Sequence, residues 1–263
     1  MRSGSAHAGR TRWIGLNTLL LRECRVILRF WGFTLAPPAI TTILYLSIFG
    51  DIIGKRIGAM QGVQYIQFLA PGLILLWVIP FAYGHTAAGF MGARIFGFLD
   101  ELLVSPLPAW IVMTGYVISG VIRGCLVGSV AVIIALLFTW LPVHSASAIV
   151  ASLVLAALVS ALGGFITALF AKSFDQVNAI QTLVLTPLTY LGGVFNPAST
   201  LPPWAQTLSL GNPMFYMVNA FRYGFLGVTD VPARIAMSVM LMAAVILFSV
   251  AYSLVARGTG FRE

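Results

Sequence analysis

Residues 124–171 read GCLVGSVAVIIALLFTWLPVHSASAIVASLVLAALVSALGGFITALFA, 48 positions without one charged side chain. Only Arg123 separates them from a second charge-free run, the 21 residues from Leu102 to Ile122. About 20 apolar residues are enough to cross the hydrocarbon core of a bilayer. The combined stretch fits two crossings, broken near Leu141, Pro142, Val143 and His144. The residues are continuously apolar and do not alternate, which fits helices and not a transmembrane barrel.

The rest of the chain repeats this pattern. Phe30–Gly50 is 21 residues without charge, Ile57–Ala93 is 37, Gln176–Phe221 is 46 and Ile235–Ala256 is 22. The expectation is an all-α membrane protein with one domain over 1–263. Six crossings are expected at about 31–50, 65–90, 109–139, 147–171, 176–195 and 235–256.

The chain of 263 residues carries 15 Lys or Arg and 7 Asp or Glu, so 8% is charged. Soluble domains carry about 25%. With a mean hydropathy of +0.97, a soluble enzyme, a nucleic-acid binder and a disordered chain are excluded. The net charge of +8 is then an orientation signal, with membrane lipids as the partner and no nucleic acid. With the N-terminus inside, Arg2, Arg10, Arg12, Arg22, Arg25, Arg29, Arg94, Lys172, Arg257 and Arg262 fall on the cytoplasmic side. Lys55, Arg56, Arg222 and Arg234 fall outside. Ten against four obeys the positive-inside rule, and six crossings bring both termini into the cytoplasm. The first 12 residues are mostly polar and no short apolar region with a small-residue cleavage site follows, so no cleavable signal is expected. Cys24 and Cys125 are expected at different depths and unpaired.

Four segments stand out. From about 11 to 30 an amphipathic helix is expected at the membrane surface. Trp13, Leu16, Leu20, Cys24, Ile27 and Trp31 form its apolar face, and Arg22, Arg25 and Arg29 lie opposite, toward anionic headgroups. With Glu23, these arginines are its candidate polar contacts. It is either a simple anchor or a surface for a cytoplasmic partner. The loop MGARIFGFLDELLVSPLP, 91–108, reads as a short helix stopped by Pro106 and Pro108. Its apolar stripe and two acids suit docking into a groove of another protein, and a surface-lying connector is the equally ranked alternative. The segment 196–234 is too broken for a crossing and too apolar for a solvated loop. A helical hairpin dipping into the outer leaflet fits. Within it, Arg222 either pairs with Asp230 or snorkels to headgroups. Arg123 is the one charge inside an expected crossing, a functional candidate by default. It is flanked by Gly120, Gly124 and Gly128, a spacing that favours close helix packing.

The chemistry is sparse. The expected crossings hold no Asp or Glu, and neither H-E-x-x-H nor G-x-S-x-G occurs. The two lysines, Lys55 and Lys172, lack the context of a phosphate-binding loop. No catalytic residue, metal site or cofactor is expected. Uphill transport by this chain draws its energy from another subunit. Two rivals remain open, an intramembrane lipid- or glycan-modifying enzyme and an ion-coupled carrier. The first needs acids or histidines clustered at one membrane face, whereas His85 and His144 are expected on opposite sides. The second needs carboxylates midway through the membrane.

The chain resembles the ABC type-2 permeases, the membrane subunits of ATP-driven exporters. The resemblance rests on Leu185, Leu188, Leu191, Gly192, Val194, Leu201, Pro202, Pro213, Met214, Tyr216 and Arg222, with their spacing. The strings LTPLTYLGGVF, NPMFYMVNAFRYGFLG and DELLVSPLP extend it. It implies a homodimer bound to two copies of a nucleotide-binding ATPase that holds ATP and Mg. It implies that the loop over 92–106 is the coupling helix, with Arg94, Phe98, Asp100, Glu101 and Leu102 as contacts to the ATPase. It implies that the N-terminal helix makes a second such contact. Leu185, Leu188 and Gly192 would face the dimer axis, and Asn212, Pro213, Tyr216 and Arg222 would belong to an outer cap of re-entrant helices. Export of a lipid-like, glycan or drug cargo across a bacterial inner membrane is the implied function.

Overall fold

A computed structural model describes residues 3–98 and 108–258. Helix α1 spans Ser3–Arg29 and hands over at Phe30 to α2, Trp31–Leu46. Helix α2 runs through Pro37 and Pro38, then widens into a π-turn at Ser47–Ile53. The short helix α3 (Gly54–Ile57) and an antiparallel hairpin of β1 (Ala59–Met60) and β2 (Val63–Gln64) follow. Gln61 and Gly62 both take positive φ, 51° and 81°, as a two-residue hairpin turn of this hand requires. Three long helices come next: α4 (Tyr65–Ile95), α5 (Ala109–Phe138) and α6 (Ala146–Phe170). A broken helix then comprises α7 (Phe174–Ile180), a π-turn (Gln181–Leu185) and α8 (Thr186–Tyr190). Helices α9 (Pro203–Leu210), α10 (Pro213–Leu226) and α11 (Ala233–Ala256) complete the chain.

The helix ends follow local chemistry. Ser145 accepts from the Ala148 amide at the start of α6, Ser173 from Gln176 at the start of α7, and Asn212 from Met214 at the start of α10. Each satisfies an amide that the helix itself cannot pair. Gly227, at φ 70°, closes α10 in the left-handed conformation that glycine adopts without strain.

Among the described residues, five helices are long and apolar enough to cross a membrane: 31–50, 65–95, 109–138, 146–170 and 233–256. They match five of the expected crossings closely. The sixth expectation, 176–195, falls on the broken helix, which ends at Tyr190. Its charge-free run continues into loop, because Gly192 and Gly193 follow and Gly193 takes φ 79°. The segment lies antiparallel to α4. A Cβ built on Gly92, Gly84 or Gly72 would meet, in turn, Phe174, Gln181 and the Val194 backbone. The 20 residues of α4 between Gly72 and Gly92 rise about 30 Å at 1.5 Å each.

Helix α4 is the axis of the bundle, wrapped by α5, α6 and α10 and buried along most of its length. Small residues bring the backbones together. A Cβ on Gly124 would lie 2.9 Å from Ala82 of α4 and 3.1 Å from Ala157 of α6, and one on Gly128 2.8 Å from Val78 and Leu153. The glycine spacing read as packing is thus the seam where three helices meet.

The N-terminal helix differs from its expected reading in length and in facing. It begins at Ser3. Its buried stripe is Leu19, Glu23 and Ile27, while Trp31 is 65% exposed. The side chains of Trp13 and Leu16 lie outside those described. Counting apolar residues cannot select a face that contains a glutamate, and Glu23 turns inward because a polar partner waits there. Arg22, Arg25 and Arg29 are exposed on the other side, as expected.

Candidate functional site

Helices α2, α4 and α7–α8 enclose a groove. One cavity of about 240 Å³ is lined by Tyr45 of α2, by Leu76, Trp77 and Pro80 of α4, and by Gln181, Leu185, Thr186, Thr189 and Tyr190. A second cavity of about 240 Å³ is lined by Pro80, Phe81, Gly84, His85, Arg123 and Gln181. Pro80 and Gln181 are walls of both. The π-turn bears Gln181 and Leu185, so the irregular part of the helix faces the groove. Such turns carry one extra residue and recur at functional sites.

The two ends of the groove differ. At the end where α4 begins, Tyr45, Phe49, Tyr190 and Phe195 form an aromatic cluster, with ring centroids 5.7 Å apart for Tyr45–Phe49 and 5.5 Å for Phe49–Phe195 and Tyr190–Phe195. At the end where α4 finishes lies a buried polar cluster from four helices. Arg123 of α5 makes a 2.9 Å hydrogen bond with His85 Nδ1 and donates to Thr34 Oγ1 of α2 at 3.0 Å. Its guanidinium carbon sits 5.6 Å from the Phe81 ring centroid. His85 Nε2 faces Glu23 Oε2 at 3.6 Å, too long for a hydrogen bond. Burial raises the Glu23 pKa, and neighbouring Arg22 opposes that rise.

Arg123, the one charge expected inside a crossing, is tied into the bundle. With Arg123 donating to Nδ1, the His85 proton belongs on Nε2, toward Glu23. Nδ1 is taken by Arg123, and Nε2 is buried against Glu23 without a hydrogen bond. His144 lies far off, edge-on to Tyr223 at 5.1 Å. The arrangement binds and orients; it does not supply a nucleophile with a free base.

The second buried cation is Arg222 on α10, fully buried. It donates from Nε to the Phe68 carbonyl at 3.2 Å and from Nη2 to the Gly193 carbonyl at 2.6 Å, with the guanidinium carbon 3.7 Å from the centroid of the Phe68 ring. Burial lowers its pKa to about 10 while the Asp230 charge pulls the other way, which leaves it protonated at neutral pH. Both expectations for Arg222 are corrected. It does not snorkel, and Asp230 is not its salt-bridge partner. Asp230 instead accepts from Gln61 Nε2 at 2.7 Å and from the Ala198 amide at 3.2 Å. Asn219 Oδ1 receives the Asp230 amide and the Thr229 hydroxyl. Replacing Asp230 with alanine strands the Ala198 amide, at a cost of about 1–2 kcal/mol. Amide exchange should accelerate at 196–200 with little change in the global melting temperature; uniform protection would contradict this role.

The other candidates distribute as follows. Leu185 and Leu188 are half-buried, Gly192 and Asn212 are buried, and Leu183 and Val184 point outward instead. Asn212 ties α10 to α8 through a hydrogen bond to the Leu188 carbonyl. Tyr216 donates its hydroxyl to the Leu210 carbonyl at 2.7 Å, and Pro213 opens α10. Arg94 turns inward and donates to the carbonyls of Ala168, Leu169 and Ala171 at the end of α6, where a cation is favoured. Phe98 is exposed and lies 5.0 Å from the Arg22 guanidinium, bringing α1 to the start of the 92–106 loop. Asp100, Glu101 and Leu102 lie outside the described residues. Sequence reasoning missed the aromatic cluster and the partnership of Glu23 with His85. No local signal announces either, since each joins segments far apart in sequence.

The sequence matches a family described as "ABC-2 type transporter" over residues 15–226. It is 44% identical over 251 residues to the inner membrane transport permease YadH of Escherichia coli K12, covering 95% of this chain and 98% of that one. It is 28% identical over 222 residues to nodulation protein J of Rhizobium leguminosarum bv. viciae, covering 82% of this chain and 83% of the relative. Against the bv. trifolii nodulation protein J it is 30% identical over 192 residues, covering 70% and 71%.

Proposed function

The chain belongs to the ABC-2 type transporter family, and on that premise we propose that it is the permease subunit of an ATP-driven exporter in a bacterial inner membrane. The carrying observation is the groove between α2, α4 and α7–α8, with aromatic rings at one end and Arg123 at the other. Two copies opposed across this face enclose a pathway for a lipid-like, glycan or drug cargo. The outward Leu183 and Val184 give that homodimer an apolar seam.

In this reading α7–α8 with its following turn is the sixth crossing. Its antiparallel run along about 30 Å of α4 supports that, as does the excess of basic residues on the side where both termini then lie. Helices α9 and α10 cap the outer end. Permeases of this family pair with a nucleotide-binding subunit. Here two copies of it hold ATP and Mg, and they press on the loop bearing Phe98, Asp100, Glu101 and Leu102. Arg94 anchors the root of that loop to α6, and α1 joins it through Arg22 and Phe98. Movement of the loop then shifts a two-state bundle.

The test is to replace Asp100 and Glu101 together with lysine and co-purify the ATPase. Binding is expected to fall at least about tenfold, since each like-charge contact at an interface costs several kcal/mol, and stimulated hydrolysis should drop to its basal level. Retained binding with retained stimulation overturns the coupling assignment.

A further inference from the structure

The groove ends on a cation with donors to spare. A guanidinium carries five N–H bonds, and Arg123 uses two, on His85 and Thr34. Its Nε is buried without an acceptor. Among the described residues no carboxylate lies within 4 Å of Arg123, because Glu23 is held beyond His85. Gln181 lines the same cavity and adds an amide donor. Past the shared wall of Pro80 and Gln181, the adjoining cavity is walled by Leu76, Trp77 and Leu185. The first of these adjoining cavities suits an oxyanion and the second suits hydrocarbon. Arg123 is the one Lys, Arg, Asp or Glu among the residues lining the first cavity, and it repels a cationic head.

We infer that the groove binds an amphiphile with an oxyanion head of phosphate type, the head on Arg123 and Gln181 and the chain along Leu76, Trp77 and Leu185. This rests on the exporter reading and names the chemical class of its cargo. A phosphate monoester offers three acceptor oxygens, which can take the remaining Nη hydrogens of Arg123 and the Gln181 amide together. Charge-assisted bonds of this kind are the strong ones. His85 and Thr34 keep the guanidinium in its present pose while the head is bound.

The test uses the full-length chain in dodecyl maltoside micelles, without an ATPase. Four probes are compared by equilibrium binding: dodecyl phosphate, dodecylphosphocholine, dodecyltrimethylammonium and inorganic phosphate. Dodecyl phosphate should bind at roughly one per chain and at least about tenfold more tightly than the other three. Gln181→Glu should weaken it by about tenfold or more by placing a negative charge beside the head, and Arg123→Gln should do the same. Arg123→Lys should retain most of the binding. Should Arg123→Gln fail to fold, Gln181→Glu decides, since it leaves the bonds of Arg123 untouched. Equal binding of the three dodecyl probes overturns the inference, as does unchanged binding in Gln181→Glu. Inorganic phosphate binding as tightly as dodecyl phosphate overturns it too, because the site would then take a free anion. No ATPase enters the measurement, so a failed ATPase partnership and a failed cargo assignment are separate results.

Discussion

Replacing Arg222 with methionine should lower the stability of the folded chain by about 3 kcal/mol, near the low end of what breaking a buried charge site costs. The Gly193 carbonyl would lose its arginine donor, and a stranded buried carbonyl costs about 1–3 kcal/mol; the Phe68 carbonyl would keep only its helical amide partner. The stacking of the guanidinium on Phe68, worth about 2 kcal/mol when desolvated, would go as well. Methionine recovers part of this, because keeping a cation out of water is itself costly and shows in the pKa lowered to about 10. Arg222→Lys should fall between, keeping the charge but losing the fork that reaches two carbonyls. The check is the melting midpoint in detergent, followed by size-exclusion fluorescence. A methionine variant that melts with the parent protein would remove Arg222 from the structural account.

A comparable loss is expected from Gly164→Val. A Cβ at that position would collide with the carbonyl oxygen of Tyr83 and lie 3.0–3.1 Å from its carbonyl carbon and Cα. The obstruction is backbone in the middle of α4, with no flexible side chain to swing aside. Overpacking of a well-packed core costs about 1–3 kcal/mol and sometimes more, and a helix–helix crossing without slack belongs at the upper end. Gly32→Ala is the control: nothing lies within 4 Å of a Cβ there, so the substitution should be neutral or slightly stabilising through helix propensity. If both variants melt alike, the close approach of α4 and α6 is not what holds the bundle.

Much of the fold is legible because lipid imposes a simple rule. Long apolar runs mark the crossings, and the end of α6 and both ends of α11 fall within a few residues of where the charges stop. The rule blurs where the apolar run outlasts the helix, as beyond Tyr190, since lack of charge does not distinguish a helix from a protein-covered loop. It also misleads at α1. Amphipathic reasoning assigns Glu23 to the solvated side, yet a single buried histidine turns that face inward. Arg222 shows the same limit. Its neighbour in sequence, Asp230, is the obvious partner on paper, but two backbone carbonyls from distant segments take its place. Carbonyls carry no signature in an amino-acid sequence, so sites built from them are invisible before the chain is folded.

The bond from Arg222 to Phe68 spans 154 positions of sequence, and this has a meaning in time. A ribosome adds about 5–20 residues per second, so roughly 8–30 s separate the synthesis of the carbonyl from that of the arginine that pairs with it. During that interval α4 already exists, but the strut at its beginning does not. Until α10 is made, α4 has its packing against α5 and α6 but lacks this cross-link near its beginning.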